Sequence, residues 1–308
     1  VAPQAKVMAV KGLDAGGSGY LSDLAAGILY AANNGAKVIN ASWGGSGSTP
    51  ALLQEVISFA HDVRDVVFVA AAGNSNMDVG SPEQGFFPAN LREAVTVSAF
   101  DHLDQKAPFS NFGAKIDVAA PGGGDADPAG IYESRRSILS LKSSLAGPGM
   151  TGEGQLIIGA DYVRQAGTSM AAPHVSGAAA LVRALHPEFS AEQVRQALRS
   201  GSDDIGKPGF DPDSGQGRLN VKGALAQDAP IDVFLMEPIF TAKGTIAISG
   251  TVRVPSLILW RLQFDAGNGG GWITVAQGTA PVVKTLLTNL DFRMIQAQHR
   301  IAVERNIR

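Results

Sequence analysis

Residues 166–177 read AGTSMAAPHVSG. Gly167 precedes two hydroxyl residues, Thr168 and Ser169, and a run of small apolar residues follows. Glycine suits a tight turn. The run carries Ala171, Ala172, Val175, Ala178, Ala179, Leu181, Val182 and Leu185. A helix that is apolar nearly all round is central and buried. The stretch therefore predicts a turn that delivers Ser169 into the first turn of a core helix. Unpaired N–H groups and a partial positive charge at a helix start favour negative charge there. Ser169 is thus placed to attack a carbonyl, provided that a base takes its proton. The competing reading makes Thr168 or Ser169 a plain N-cap.

A buried helix needs a sheet to pack on, and the upstream sequence supplies one. Residues 6–11 (KVMAVK) alternate as a strand does. Leu21, Leu24, Ala25, Ile28, Leu29 and Ala32 then form an amphipathic helical stripe, with Gly35 where a left-handed cap belongs. Residues 37–41 (KVINA) predict a second strand, 50–63 a helix, and 66–72 (VVFVAAA) a continuously apolar strand. Residues 94–99 and 116–119 add two more strands. This alternation predicts an α/β fold: three layers, a mostly parallel sheet with helices on both faces. In such sheets ligands bind beyond the carboxyl ends of the strands. Residues 122–165, Gly/Pro-rich at first, read as a long irregular surface insertion. Ser190 and Gln193 form a capping box for a helix running to about Ser200. From about Asp228 the texture becomes β-rich with Gly-rich turns, as in a separate sandwich-like module. GNGGGW (267–272) reads as a hairpin turn. The predicted division is 1–228 and 229–308.

Length and composition agree. The 308 residues are 45% hydrophobic and 17% charged, enough to bury a large core. The net charge of −3 gives no reason to expect nucleic acid or an anionic membrane as partner. No apolar run approaches the ~20 residues that span a bilayer, and no signal peptide is visible. With no cysteine, disulfides and thiolate metal sites are excluded.

Two further stretches follow strands. In AAAGNSN, Gly73 and Asn74 come directly after an apolar strand, where an amide can donate to an oxyanion. In VINASWGG, Ser42, Trp43 and Gly44 could lie extended against a substrate peptide, with Trp43 as a pocket wall. Each alone is also readable as an ordinary turn. Taken in order, SWGG, GN and GTSMAAPH resemble the subtilisin-like serine proteases, the subtilases (peptidase S8). The opening VAPQAKVMAVKGLDAGGSG and the later GQGRLNVKGAL match the same family, so the resemblance covers residues 1 to about 228. It implies a serine endopeptidase acting on polypeptides, with Ser169 as nucleophile and Asn74 as oxyanion donor. It also implies that Ser42, Trp43 and Gly44 form the substrate-binding strand, and that Ala71, Ala72 and Gly73 form a second pocket wall. A secreted location follows from the resemblance too. No cofactor is assigned; structural calcium is common in the family, but no ligands follow from this sequence.

The family's triad is Asp, His and Ser in that chain order. Its Asp strand end and His-Gly-Thr-His helix lie upstream of the VAP segment. No histidine present substitutes. His174, five residues past Ser169, lies about 140° round the helix. His61 precedes a strand, at the wrong end of the sheet. His102 sits in a polar turn, His186 near a helix end, and His299 in the second module. The expectation is a chain truncated at its N-terminus, and inactive alone. The alternative is a noncatalytic, subtilase-like scaffold that holds peptides. LDAGGSGYLS lacks the third glycine and the acidic partner of a dinucleotide site. DPDSGQG, with Asp211 and Asp213, reads as a turn rather than a calcium loop.

Overall fold

The computed structural model describes residues 1–308 except 15, 82–83, 125–135, 145–156, 229, 236–238, 242–244, 255–256, 266–271, 292–299 and 308. The chain divides into two compact units, Val1–Gln227 and Asp228–Arg308. In the first unit the strands are β1 (Val38–Ala41), β2 (Gly45–Ser46), β3 (Val67–Ala71), β4 (Phe86–Phe87), β5 (Ala94–Phe100), β6 (Val118–Pro121), β7 (Ile138–Leu141), β8 (Ile157–Ile158) and β9 (Tyr162–Gln165). The helices are α1 (Leu21–Asn33), α2 (Ala51–Ser58), α3 (Thr168–Leu185), α4 (Ala191–Ser200) and α5 (Val221–Leu225). A π-helical segment, Phe59–Val63, extends α2.

The central sheet has the order β1-β3-β5-β6, every pair parallel. Alternate residues of β3 serve opposite cores. Val67, Val69 and Ala71 pack with Ala171, Ala172, Val175 and Val182 of α3, and with Val194, Ala197 and Leu198 of α4. Phe68 and Ala70 pack with Leu24, Ala25 and Ile28 of α1 and Leu53, Val56 and Ile57 of α2. Both faces of the sheet are therefore covered, which is why β3 is apolar without alternation. The Gly35 cap is present: φ is +86°, and the N–H of Ala36 reaches back to the carbonyl of Ala31 at 3.0 Å. The Ser190/Gln193 capping box is also formed.

Three expectations need correction. Residues 6–11 form no strand and join no sheet among the described residues. Val7 is 90% exposed; alternation supports a strand only where a neighbouring backbone is there to pair with it. The stretch 122–165 is not irregular throughout: its described parts form a small antiparallel sheet of order β7-β9-β8. Finally, α3 is not apolar all round. Its buried residues occupy one side, and Leu185 is exposed.

The second unit is built from β10 (Asp232–Leu235), β11 (Ile239–Phe240), β12 (Thr245–Arg253), β13 (Leu257–Asp265), β14 (Trp272–Gly278), β15 (Val282–Asp291) and β16 (Arg300–Ile307). One antiparallel sheet runs β10-β12-β11, with β15 also on β12; the other runs β14-β13-β16. Ile246, Ile248 and Val252 of the first share a core with Trp260 and Leu262 of the second. The β13–β14 pair is antiparallel; most of the Gly-rich turn expected between them lies outside the described residues.

Candidate active site

Parallel register brings the site to one rim. Ala41 of β1 pairs with Ala70 of β3, so both strands end together. Ser42 and Gly73 leave the sheet at that same edge. The start of α3 arrives there as well: Gly167 follows β9 and donates its N–H to the carbonyl of Gly122, just past β6, at 2.9 Å. Gly167 is the N-cap of α3, with φ 155° and ψ 159° and no side-chain cap. That backbone region is essentially restricted to glycine. The hydroxyls of Thr168 and Ser169 are therefore not used as N-caps.

Thr168 is fully buried and ties the pieces together. Its N–H and its hydroxyl both donate to Oδ1 of Asn74, each at 2.9 Å. Its Oγ1 accepts the N–H of Gly73 at 3.1 Å. With Oδ1 so engaged, the orientation of the Asn74 amide is fixed, and Nδ2 is the end left to donate elsewhere. A Cβ placed on Gly167 would lie 3.4 Å from that Nδ2. The amide of residue 74 and the first turn of α3 are thus adjacent, although they are 94 positions apart in the chain.

Ser169 and Ser42 face each other in a reciprocal pair. Oγ of Ser169 donates to the carbonyl of Ser42 at 3.1 Å, and Oγ of Ser42 donates to the carbonyl of Ser169 at 2.8 Å. Nδ2 of Asn40 donates to Oγ of Ser42, and Oγ of Ser176, on α3, donates to Oδ1 of Asn40, both at 2.9 Å. The turn after β3 is held by buried Asn111. Its Oδ1 accepts from Ser75 and Met77 and its Nδ2 donates to the carbonyl of Ala72. Trp43 is half-buried and packs against the α1–α2 side of the core, as Phe86 and Phe87 also do. Ala71 and Ala72 are buried at the end of β3, one on each face of the sheet.

No described histidine stands beside Ser169. His174 bonds the carbonyl of Met170 within α3, at 2.8 Å. His61 is buried in the π-helical segment before β3, with Nδ1 2.9 Å from Asp62. His102 is exposed, His186 stacks on Phe189, and His299 lies outside the described residues. Among the described residues no group of three or more metal-binding side chains comes together. The 211–217 stretch is a closed turn in which Asp211 and Gly215 exchange backbone hydrogen bonds.

Residues 1–217 match the Subtilase family (Peptidase_S8). The chain belongs to the subtilase family. This subtilase is 37% identical to Subtilisin Savinase of Lederbergia lenta over 73% of its own length and 69% of that protein. Among solved structures it is similar to a protease from Pseudoalteromonas arctica, at 32% identity and TM-score 0.56, covering 68% of this chain and 59% of that one. It is also similar to a lanthipeptide protease, at 29% identity and TM-score 0.59, covering 69% and 68%. The three-layer fold expected from the sequence is the fold of these relatives. Sequence reasoning missed Thr168, Asn40, Asn111 and Ser176 as supports of the site. Thr168 sits inside the motif itself, but nothing local reveals that its partner is residue 74; the others carry no signal outside the fold.

Proposed function

We propose that this subtilase is a serine endopeptidase in which Ser169 is the nucleophile and Asn74 the oxyanion donor. The observation that carries the reading is the double hydrogen bond from Thr168 to Oδ1 of Asn74. It leaves Nδ2 free to donate beside the helix turn that bears Ser169. In the reaction Oγ of Ser169 attacks the peptide carbonyl as its proton passes to a base. The carbonyl oxygen becomes an anion, stabilised by Nδ2 of Asn74 and the N–H of Ser169. Its collapse releases the amine, which takes the proton back, and water then hydrolyses the acyl-enzyme by the same steps. The backbone at Ser42, Trp43 and Gly44 lies alongside the substrate, and Ala71, Ala72 and Gly73 form the facing wall.

The resting hydroxyl is not activated, because the Ser42 carbonyl to which it donates cannot take its proton. The base must displace that bond. We assign the base and its orienting carboxylate to a His and an Asp on polypeptide preceding Val1, and a secreted location to the whole, as in the family. No helix among the described residues is long and apolar enough to cross a membrane. Residues 1–308 alone should neither hydrolyse casein nor react with a fluorophosphonate. The longer polypeptide should do both, and Ser169→Ala should abolish labelling. Undiminished hydrolysis in Ser169→Ala, or an upstream reading frame with neither Asp nor His at the family motifs, would leave the peptide-holding scaffold as the better reading.

A further inference from the structure

We propose that Phe86 closes the depth of the recess between the two glycine walls, so that this subtilase takes peptides with glycine, alanine or serine just before the scissile bond. The inference rests on the assignment of Ser42, Trp43 and Gly44, and of Ala71, Ala72 and Gly73, as the walls that flank that residue. The ring of Phe86 reaches both walls. A Cβ placed on Gly44 would fall 2.4 Å from Cε1 of Phe86 and 2.9 Å from its Cζ. A Cβ placed on Gly73 would fall 2.8 Å from Cγ and 2.9 Å from Cδ1 of the same ring. One end of the phenyl thus touches the first wall and its other end the second. Neither glycine has room for a side chain, and each is at the position where the ring approaches.

The ring is also held in place. Phe86 lies on β4, which pairs with β2 through Ser46↔Phe86 and Gly45↔Phe87. Its N–H donates to the carbonyl of Val79 and its carbonyl accepts from Asn90. Its side chain is half-buried against the α1–α2 core. Phe87 fills the space next to Gly45 in the same way, its Cζ 2.6 Å from where a Cβ would stand. A large substrate side chain entering between the walls meets a fixed phenyl instead of a cavity. A methyl or hydroxymethyl group stops short of it. Size exclusion of this kind discriminates about 10–200-fold.

The test uses residues 1–308 and needs no catalysis. Acetyl-Ala-Ala-Pro-Ala and acetyl-Ala-Ala-Pro-Phe, each with a free carboxylate, are titrated against ¹⁵N-labelled protein, and the amides of Gly44 and Gly73 are followed. The Ala peptide should bind at least tenfold more tightly than the Phe peptide. Phe86→Gly should narrow or reverse that ratio, and Phe86→Leu, which keeps more of the core packing, should move it in the same direction. Equal binding of both peptides by the parent protein, no binding of either, or an unchanged ratio in a variant whose circular dichroism is native overturns the inference. If the longer polypeptide fails to hydrolyse any peptide while the binding order holds, the catalytic reading falls and the recess assignment stands.

Discussion

Individual residues at this site answer for geometry before chemistry. Gly167 holds φ 155° and ψ 159°, a conformation essentially restricted to glycine, while a Cβ there would make only ordinary contact with Nδ2 of Asn74, at 3.4 Å. Gly167→Ala should therefore cost about 1–3 kcal/mol, read as a fall in the urea midpoint. Under the proposed mechanism Asn74→Ala removes the side-chain oxyanion donor, and it should lower kcat of the active polypeptide by about 10²–10³, with KM little changed. That magnitude was obtained on a subtilisin and is carried over through the family relation. Ser169 and Asn74 were both legible from the sequence, since each directly follows a recognisable turn. Thr168, which orients Asn74, was visible only as a neighbour of the serine, because its partner stands 94 positions away.

Between elements, the sheet is fastened to α4 by charge. Asp117 precedes β6 and is nearly buried, with a side chain 3% exposed; Nε of Arg195 on α4 is 2.9 Å from its Oδ1. Oδ2 of Asp117 accepts the N–H of Thr96 on β5, so one carboxylate joins two strands and a helix. Asp117→Ala would take the nearest carboxylate from the buried Arg195 guanidinium, leaving it Glu192 at 3.7 Å, and should cost less than the ~3–5 kcal/mol of a fully unpaired buried charge, read in chemical denaturation. A more exposed pair acts at the chain crossing before α5. There hydrogen bonds from Arg218 and Asn220 hold the Asp203 carboxyl below the usual aspartate range. A carboxyl whose pKa is depressed on folding contributes stability above its unfolded pKa and loses it as pH falls through the folded one. Asp203→Asn should therefore flatten the acid end of the stability–pH profile, and added salt should shrink the difference. Residues 6–11 carry the same lesson in reverse: an alternating pattern shows what a strand would bury, but not whether a partner lies beside it.

At the scale of the whole molecule, the described residues form three hydrophobic cores: one on each face of the parallel sheet within Val1–Gln227, and one anchored by Ile248, Trp260 and Leu262 within Asp228–Arg308. Calorimetry should resolve two transitions, and a chain ending at Gln227 should lose one of them. Residues 228–308 alone should show blue-shifted fluorescence from Trp260, which is buried with its Nε1 donating to the carbonyl of Ala280 at 3.0 Å; Trp260→Phe should remove that component. The sequence by itself determined the family, the parallel layered fold and the change of texture near residue 228, and it carried the expectation that Ser169 and Asn74 act together. These rest on local periodicity and on motifs read within a dozen residues. Only the tertiary structure decided that Thr168 fixes the amide of Asn74, that Ser42 and Ser169 exchange hydrogen bonds, and that Phe86 spans the gap between Gly44 and Gly73. Those contacts join segments tens of residues apart, and strand register and packing, which no local pattern encodes, bring them together.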